Sequence, residues 1–375
     1  MTDMSNATNA TNLYCGADTS TVSLVVKVSL YVIVMLVSLI GNSLIFAVVL
    51  KNRKMRTPVN FFVVNMAAAD ILITVFYMPR MISRFFLGSE WGISGGLGHF
   101  LCKIAPITQE LSASVSVLTL IVMAVDRFFA VLFPLKRIIT NLVANASIAL
   151  VWIIAAAVRS PMFYALRLVQ TEDGKTFCVF QMESQTASDV YLNFAFVLFY
   201  VIPLFVLTVL YSAILVSLKK RKPVGEELTN TQRRYKNRLK RTRKVINMMF
   251  TIVFVFAFGW CLHFFYPVLS NRYGLKVCKL VFPAFFLGHA TSAINPCIYL
   301  IFIENYRRGF RAILTPLGRR CFNQVIPDST VVTQDCTDFT VRHRDSNNES
   351  LTLGTLDYER TVRPRTVQVL PAPTF

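Results

Sequence analysis

The sequence predicts an all-α membrane protein with seven transmembrane helices, and three observations lead to that fold class. Of the 375 residues, 54% are hydrophobic and 16% are charged, whereas soluble domains average about 45–50% apolar and about 25% charged residues. The excess lies in long apolar runs bounded by polar or basic residues, which is the pattern of membrane-spanning helices. The runs are continuous and do not alternate over short segments, so a transmembrane β-barrel is excluded.

Each of the seven apolar runs is long enough to cross about 30 Å of hydrocarbon at about 1.5 Å per helical residue. The chain then divides into a tail at 1–23, a helical bundle at 24–321 and a cytoplasmic tail at 322–375. The last segment mixes Ser, Thr, Asp, Arg and Pro with few apolar clusters, which is typical of disorder. The seven helices are expected at 24–50, 59–87, 99–132, 142–166, 189–218, 245–269 and 277–301.

The basic residues set the orientation of the helices. A net charge of +19 would suggest nucleic acid in a soluble protein, but here Lys and Arg cluster in the short segments between apolar runs. The positive-inside rule therefore explains the charge better, and no nucleic-acid partner is expected. One side has twelve basic residues between Lys219 and Lys244, so that side is cytoplasmic and the N-terminus is extracellular. The loops of the opposite side carry Arg167, Lys175, Arg272 and Lys276.

The N-terminal tail carries two features that agree with this orientation. Asn6 and Asn9 each begin an Asn-x-Thr sequon, so both are expected to be glycosylated outside the cell. No apolar stretch of a cleavable signal peptide precedes residue 22, so the first helix is expected to act as the insertion signal.

Polar residues inside the predicted helices are the first candidates for function, because they are costly at membrane depth. Asp70 lies about 16 Å into the second helix by helical rise, and Asn42, Ser116 and Asn295 lie within other spans. A buried carboxylate needs a partner, a proton or a bound cation. Two interpretations stay open, namely a static polar cluster that fixes helix packing and a water-filled pocket for a small cation such as sodium.

Asp126-Arg127-Phe128 ends the third predicted helix on the cytoplasmic side. Cys102 begins the same helix about 36 Å away by helical rise. Adjacent Asp and Arg can form an ordinary interfacial ion pair. They can also form a contact surface for a cytoplasmic partner, since the strongly basic third inner loop is on the same side.

A series of short motifs follows in order along the chain: Gly41-Asn42, Asn65 to Asp70, Trp91, Cys102, Asp126-Arg127-Phe128, Trp152, Cys178, Pro203, Tyr211, Phe256, Trp260, Asn295-Pro296-Cys297-Ile298-Tyr299, and Phe302 with Asn305 to Phe310. Each motif alone is weak, but the ordered set on the right helices is specific. Together they resemble the motifs of the rhodopsin-like (class A) G-protein-coupled receptors, over roughly residues 24–321.

The resemblance implies a signalling mechanism for the cytoplasmic end. Asp126 should hold Arg127 at rest, and activation should release Arg127 toward a heterotrimeric G protein. Tyr211 and Tyr299 should rearrange to support the released arginine. The other residues implied in this switch are Asn295 and Pro296 of the seventh helix and Pro134 and Leu135 of the second inner loop.

The resemblance also implies several accessory features. Residues from Phe302 to Phe310 resemble the family's short amphipathic eighth helix, and Cys102 should be disulfide-bonded to Cys178. Ser and Thr of the tail could be phosphorylated by a receptor kinase and then bind arrestin, or the tail could only solubilise. No cofactor is expected apart from an allosteric sodium ion, held by Asp70, Ser116 and Asn295. Cys321 is a candidate palmitoylation site.

Four positions depart from the family pattern. Phe128 replaces a tyrosine, which is a mild change. Leu262 stands where the sixth helix normally has its kink-forming proline, and Gly259 stands where it normally has cysteine. Gly259 could soften the same turn. Thr242 occupies the position where some members have an acid that pairs with the helix 3 arginine, so an elevated basal activity is expected.

Gln109 is the most informative residue about the ligand class. Amine receptors carry aspartate at this position, so a glutamine argues against them, although Glu110 is next to it. His289 stands where opsins carry the retinal-binding lysine, which excludes a Schiff-base photoreceptor. Gln109 and a hairpin-type second outer loop around Cys178 resemble neuropeptide receptors of the neuropeptide Y, RFamide and galanin kind. The expected ligand-binding residues are Gln109, Trp260, His263 and Phe264.

The outer loops leave two questions open. Acidic residues in the second outer loop would favour a cationic or amidated-Arg peptide, or they are ordinary solvated charges. Cys15 and Cys278 could form a second bridge, or they could be free thiols or join other chains. The acidic residues of the loop are Glu172, Asp173, Glu183 and Asp189.

Other function classes fit the sequence less well. A receptor for a lipid or other small molecule, or a constitutively active one, remains an alternative within the class. A transporter is the main alternative outside it, but the sequence lacks an inverted repeat and paired broken helices. An enzyme is not expected, because the four histidines are scattered and no His-x-x-x-His spacing is present. The sequence therefore predicts a multi-pass receptor of the plasma membrane.

Overall fold

The computed structural model of the protein describes residues 20–133, 139–220, 230–273 and 278–314, all within the compact unit Met1–Phe322. Seven helices in this part are long and apolar enough to cross a membrane, which confirms the predicted fold class. In chain order the helices are α1 Thr21–Lys51, α2 Pro58–Leu87, α3 Gly95–Leu132, α4 Asn141–Ala165, α5 Gln185–Leu218, α6 Asn230–Tyr273, α7 Cys278–Phe302 and α8 Glu304–Leu314.

Three of the membrane-spanning helices contain local irregularities, and prolines explain two of them. In α2 a turn at Tyr77 separates Pro58–Phe76 from Met78–Leu87, just before Pro79. In α4 the helix is interrupted at Ser160, before Pro161–Ala165. Proline lacks the N–H of an interior helical hydrogen bond, so the helix restarts at each of these positions. The third, α5, contains a single wider π turn at Val197–Val201.

The helix α6 differs most from its predicted bounds. It begins at Asn230 instead of at 245 and continues to Tyr273. The segment from 230 to 244 contains no glycine or proline and many Lys and Arg, which are good helix formers. The apolar pattern marks only the part that fits a membrane, Thr242–Tyr266. The helix also runs unbroken through Leu262, because leucine keeps the backbone N–H that proline would remove.

Two sets of buried polar side chains join the helices, and the second includes Asn42, which was predicted to lie at membrane depth. The indole of Trp152 donates to Asn65 Oδ1 at 2.7 Å, and the Asn65 amide donates to Thr119 Oγ1 at 2.8 Å. This set connects α4, α2 and α3. The amide of Asn42 donates to the Ser38 carbonyl at 2.9 Å and to the Ser292 carbonyl at 3.0 Å, which connects α1 to α7.

A β-hairpin covers one end of the bundle. Strand β1, Leu166–Gln170, pairs antiparallel with β2, Thr176–Phe180, as the hairpin-type loop predicted. The predicted disulfide is present, since Cys178 of β2 is bonded to Cys102 of α3. The Trp91 backbone N–H donates to the Thr176 carbonyl at 2.7 Å. These contacts hold the hairpin against the start of α3, and we call this side the hairpin end and the other side the Arg127 end.

The eighth helix lies directly after α7. Its inner face is buried at Tyr306, Gly309, Phe310 and Ala312, as expected for an amphipathic helix. The Arg307 guanidinium donates to the Leu300 and Ile301 carbonyls at 3.0 and 2.7 Å, and so it satisfies two carbonyls at the end of α7. On the outer face, Arg308 donates to Glu304 at 2.6 Å, and this hydrogen bond lowers the pKa of Glu304.

Candidate ligand and signalling sites

The predicted ligand-binding residues converge inside the hairpin end of the bundle. Gln109 of α3 is 3% exposed, and its amide nitrogen lies 3.4 Å from His263 Nε2 of α6. The His263 ring lies edge-on to Trp260 and to Phe264, with centroid distances of 5.1 and 5.5 Å. The structure therefore brings all four residues together.

A chain of hydrogen bonds runs from this group to α7 and α1. His289 Nε2 lies 3.3 Å from Gln109 Oε1, and the Tyr31 hydroxyl lies 3.1 Å from His289 Nδ1. The amide oxygen of Gln109 can only accept, so His289 carries its proton on Nε2 and accepts at Nδ1 from Tyr31. This arrangement uses a neutral imidazole and satisfies both ring nitrogens.

Glu110 is a further candidate for this site. In the sequence it was noted only as the neighbour of Gln109, without a role in ligand binding. One of its carboxylate oxygens, Oε2, forms an ion pair with Arg159 of α4 at 2.9 Å. The other, Oε1, lies 2.9 Å from His263 Nε2 and accepts from the Gln109 amide at 3.3 Å. Arg159 lies in the apolar run of α4, and a charged residue at that depth was a signal that could have found it.

Aromatic rings enclose this polar group on several sides. Phe285 packs edge-on against His263 at 5.2 Å, and Tyr77 stacks on Phe285 at 6.1 Å. Near α5, Tyr200 lies 5.1 Å from Phe264. A few convergent polar groups within an apolar and aromatic shell are typical of ligand sites between helices.

The packing of α6 on α7 beside this group is very close. A Cβ built on Gly259 would lie 2.5 Å from Thr291 Cγ2 and 2.9 Å from the Leu287 carbonyl oxygen. A Cβ built on Gly288 would lie 3.2 Å from the Trp260 ring. Gly259 therefore permits a close approach of two helices, and this is a structural reason for its departure from the family pattern.

Two of the three residues predicted to hold a sodium ion, Asp70 and Asn295, contact each other. Asp70 is 3% exposed and accepts a hydrogen bond from the Asn295 amide at 2.9 Å. Ser116 is also buried, but it makes no hydrogen bond with either residue in the described part of the chain. Asp70 forms no ion pair there, so its carboxylate could take a proton or a small cation. Its oxygens suit a hard cation such as sodium, which Asp70 would hold with oxygens of neighbouring side chains.

The predicted signalling residues lie at the Arg127 end. Arg127 donates through Nε to Asp126 Oδ2 at 2.8 Å, and its terminal nitrogen contacts the same oxygen. The Tyr299 hydroxyl donates to Met66 Sδ at 3.7 Å, and the buried Tyr211 ring lies edge-on to Phe250. Neither tyrosine hydroxyl is hydrogen-bonded to Arg127 in the described structure. The contact between Arg127 and Asp126 is therefore present, and the role of these residues in signalling stays a prediction.

Pro296, the remaining predicted switch residue of α7, packs directly against α1. A Cβ built on Gly41 would lie 2.6 Å from Pro296 Cγ, so only glycine fits at this contact. Other predicted residues lie outside the described part of the chain and stay predictions. They are Asn6, Asn9, Cys15, Pro134, Leu135 and Cys321, together with the side chain of Cys278.

Residues 41–299 match the family model of the "7 transmembrane receptor (rhodopsin family)". The chain belongs to this family. The match runs from Gly41 in α1 to Tyr299 in α7, and so it includes both ends of the bundle described above. The receptor is a multi-pass membrane protein, and its family is one of receptors and not of enzymes.

Curated relatives of the receptor cover most of its length. The QRFP-like peptide receptor of Branchiostoma floridae is 30% identical over 315 residues, which cover 81% of each chain. The RYamide receptor of Tribolium castaneum is 32% identical over 321 residues, covering 81% of this chain and 85% of that one. The neuropeptide Y receptor type 2 of Homo sapiens is 31% identical over 298 residues, covering 76% and 75%.

Proposed function

We propose that the protein is a cell-surface receptor that binds an extracellular peptide and activates a heterotrimeric G protein. The family membership supports the signalling part of this proposal. Two of the relatives described above are named as receptors for a peptide or a neuropeptide, and the third as a receptor for RYamide, and they support the ligand class. The peptide would bind at the hairpin end, where Gln109, Trp260, His263 and Phe264 meet.

The observation that carries the peptide proposal is the position of Gln109. Its amide oxygen lies 3.3 Å from His289 Nε2, and its amide nitrogen donates to Glu110 Oε1 at 3.3 Å. The second N–H and the second lone pair of this amide match the amide groups of a peptide. An amine ligand would instead need an uncompensated carboxylate, and Glu110 is already paired with Arg159.

Helix α6 gives the proposed receptor a route from ligand to G protein. The helix carries Trp260 and His263 at the hairpin end and continues to Asn230 beyond the Arg127 end. A peptide that displaces these side chains would move the same rigid helix near Arg127. The G protein would then bind the cytoplasmic ends of α3, α5 and α6, after Arg127 has left Asp126.

The proposal includes a plasma-membrane location with the N-terminus outside and the C-terminal tail in the cytoplasm. The distribution of Lys and Arg supports this orientation. Glycosylation at Asn6 and Asn9 follows from it, and a glycosidase should increase the gel mobility of the wild-type receptor but not of the double Asn→Gln variant. Palmitoylation at Cys321 and binding of a receptor kinase and arrestin by the tail belong to the same proposal.

An allosteric sodium ion at Asp70 and Asn295 is also proposed. The buried carboxylate, which has one amide donor and no ion-pair partner among the described residues, supports it. Sodium should change the affinity of an activating peptide, whereas the same concentration of a large organic cation should not. The Asp70→Asn variant should lose this sodium effect. An equal sodium effect in the variant would leave the static polar cluster as the better account.

A cell-based screen tests the peptide proposal. The receptor is expressed at the cell surface and exposed to amidated and non-amidated neuropeptides, including the peptides for which the relatives are named, while calcium and cyclic AMP are measured. We expect at least one peptide to give a saturable response that the Arg127→Ala variant loses at equal surface expression. Silence to every peptide at normal surface expression would contradict a peptide ligand and favour a lipid, another small molecule or constitutive activity.

A further inference from the structure

The carboxylate of Glu110 has two oxygens with unlike surroundings. Oε2 faces Arg159, whose side chain is 3% accessible. Oε1 faces His263, whose side chain is 10% accessible, and the Glu110 side chain itself is 15% accessible. The two oxygens therefore have different partners, a fully buried arginine and a slightly more accessible histidine.

Arg159 is held in place independently of Glu110. Its Nε donates to Ser114 Oγ at 3.0 Å, and its guanidinium lies 4.7 Å from the centre of the Phe199 ring. Ser114 in turn donates to the Glu110 backbone carbonyl at 2.7 Å. Because arginine keeps its charge in proteins, Arg159 balances the Glu110 carboxylate permanently. The pair is neutral before any ligand arrives.

His263 is the partner that can leave. It lies on α6, whereas Glu110 lies on α3, so the contact at Oε1 connects these two helices at the hairpin end. The His263 ring also lies 3.4 Å from the Gln109 amide nitrogen and packs against aromatic rings, including that of Trp260. If His263 left without replacement, Oε1 would lose a donor in a desolvated site, which is costly. A ligand N–H that takes its place would conserve the number of hydrogen bonds.

We propose that Glu110 is a ligand-recognition residue. Its Oε1 gives up the contact with His263 and accepts instead a hydrogen bond from an uncharged N–H of the ligand, an amide. This exchange releases α6 from α3. This inference rests on the proposed function and adds a residue and a chemical group to it. An uncharged donor fits because Arg159 already neutralises the carboxylate, so a cationic group would bring an uncompensated charge into an aromatic site.

Two measurements on the full-length receptor in cells test the exchange, and the first needs no ligand. Basal G-protein activation is compared at equal surface expression for the wild type, Glu110→Gln and His263→Phe. His263→Phe removes the contact at Oε1, and Glu110→Gln weakens it because the neutral amide oxygen is a poorer acceptor than the carboxylate, so both should raise the basal signal at least twofold. The matched control is Glu90→Gln, the same chemical change in the loop before α3, and it should leave the basal signal unchanged. Basal signals of both variants equal to the wild type would overturn the release of α6.

The second measurement uses the most potent amidated peptide from the screen. Glu110→Gln should lower its potency at least tenfold, which is about 1.4 kcal/mol, because the charged acceptor is lost. If replacing a peptide amide by a cationic group raises the potency on the wild type, and Glu110→Gln abolishes this gain, a charged donor binds there and the proposal is overturned. Unchanged potency also overturns it. A wild-type receptor that responds to no peptide would refute the proposed function instead. The basal measurement would then still test whether the Glu110–His263 contact restrains α6.

A second variant guards against a folding defect. Glu110→Gln leaves the buried Arg159 without its counter-ion, which can destabilise the protein. The double variant Glu110→Gln with Arg159→Met removes both charges and keeps similar side-chain volumes. It should reach the surface and show the same raised basal signal and lowered potency. A double variant that reaches the surface with wild-type signalling would refute the role of Glu110.

Discussion

The close approach of α6 and α7 at Gly259 predicts that an alanine at this position destabilises the receptor. In Gly259→Ala the new Cβ would lie 2.5 Å from Thr291 Cγ2 and 2.9 Å from the Leu287 carbonyl oxygen. The carbonyl belongs to the backbone, so this contact cannot relax by a side-chain rotation. Overpacking costs about 1–3 kcal/mol, and the higher helix propensity of alanine returns about 1 kcal/mol. We expect a net destabilisation of about 1 kcal/mol, the middle of the cost less the gain.

The assay is the thermal stability of the purified receptor in detergent, with two comparison variants. Gly96→Ala is the control, because a Cβ at Gly96 would meet nothing within 4 Å, and its stability should be unchanged or slightly raised. Thr291→Ser removes Cγ2 but keeps a hydroxyl for the hydrogen bond to the Gly288 carbonyl. Thr291→Ser should therefore recover part of the stability lost in Gly259→Ala. A Gly259→Ala receptor as stable as the wild type would refute the close approach.

Three further predictions concern other parts of the bundle. Trp152→Phe should lower the thermal stability by about 1 kcal/mol, because it removes the 2.7 Å hydrogen bond to Asn65; no change in melting temperature would refute this. Arg307→Met should increase hydrogen exchange of the α8 amides, since its guanidinium bonds two carbonyls near the end of α7, and unchanged exchange would contradict that role. Thr242 has no carboxylate to pair with Arg127, so the ligand-free receptor should signal above mock-transfected cells, and equal signals would dismiss elevated basal activity.

The sequence was sufficient for the features that lie within one helix or one recognised motif. The seven spans follow from the apolar runs, and the Asp126–Arg127 contact joins neighbours in the chain. The Cys102–Cys178 bond was implied by family resemblance and is present. The bounds of α6 were less well predicted, because the apolar pattern ends at the membrane while the helix continues through basic residues.

The sequence was insufficient where the relative rotation of two helices decides a contact. Glu110 follows Gln109 directly, and nothing in the chain indicates which of them faces α4. The pairing of Glu110 with Arg159 depends on how α3 and α4 are rotated about their axes. The role of Gly259 depends on the distance between α6 and α7. Both features require coordinates, although the charge of Arg159 within an apolar run was a visible signal.

The most direct test of the account is nucleotide exchange on a purified heterotrimeric G protein by the receptor in lipid nanodiscs. The peptides are those for which the relatives are named, and wild type is compared with Arg127→Ala. We expect one of these peptides to accelerate exchange with the wild type, and to bind Arg127→Ala without accelerating it. Equal acceleration by Arg127→Ala, or no acceleration by a folded wild-type receptor that binds the peptide, would contradict a receptor that signals through Arg127.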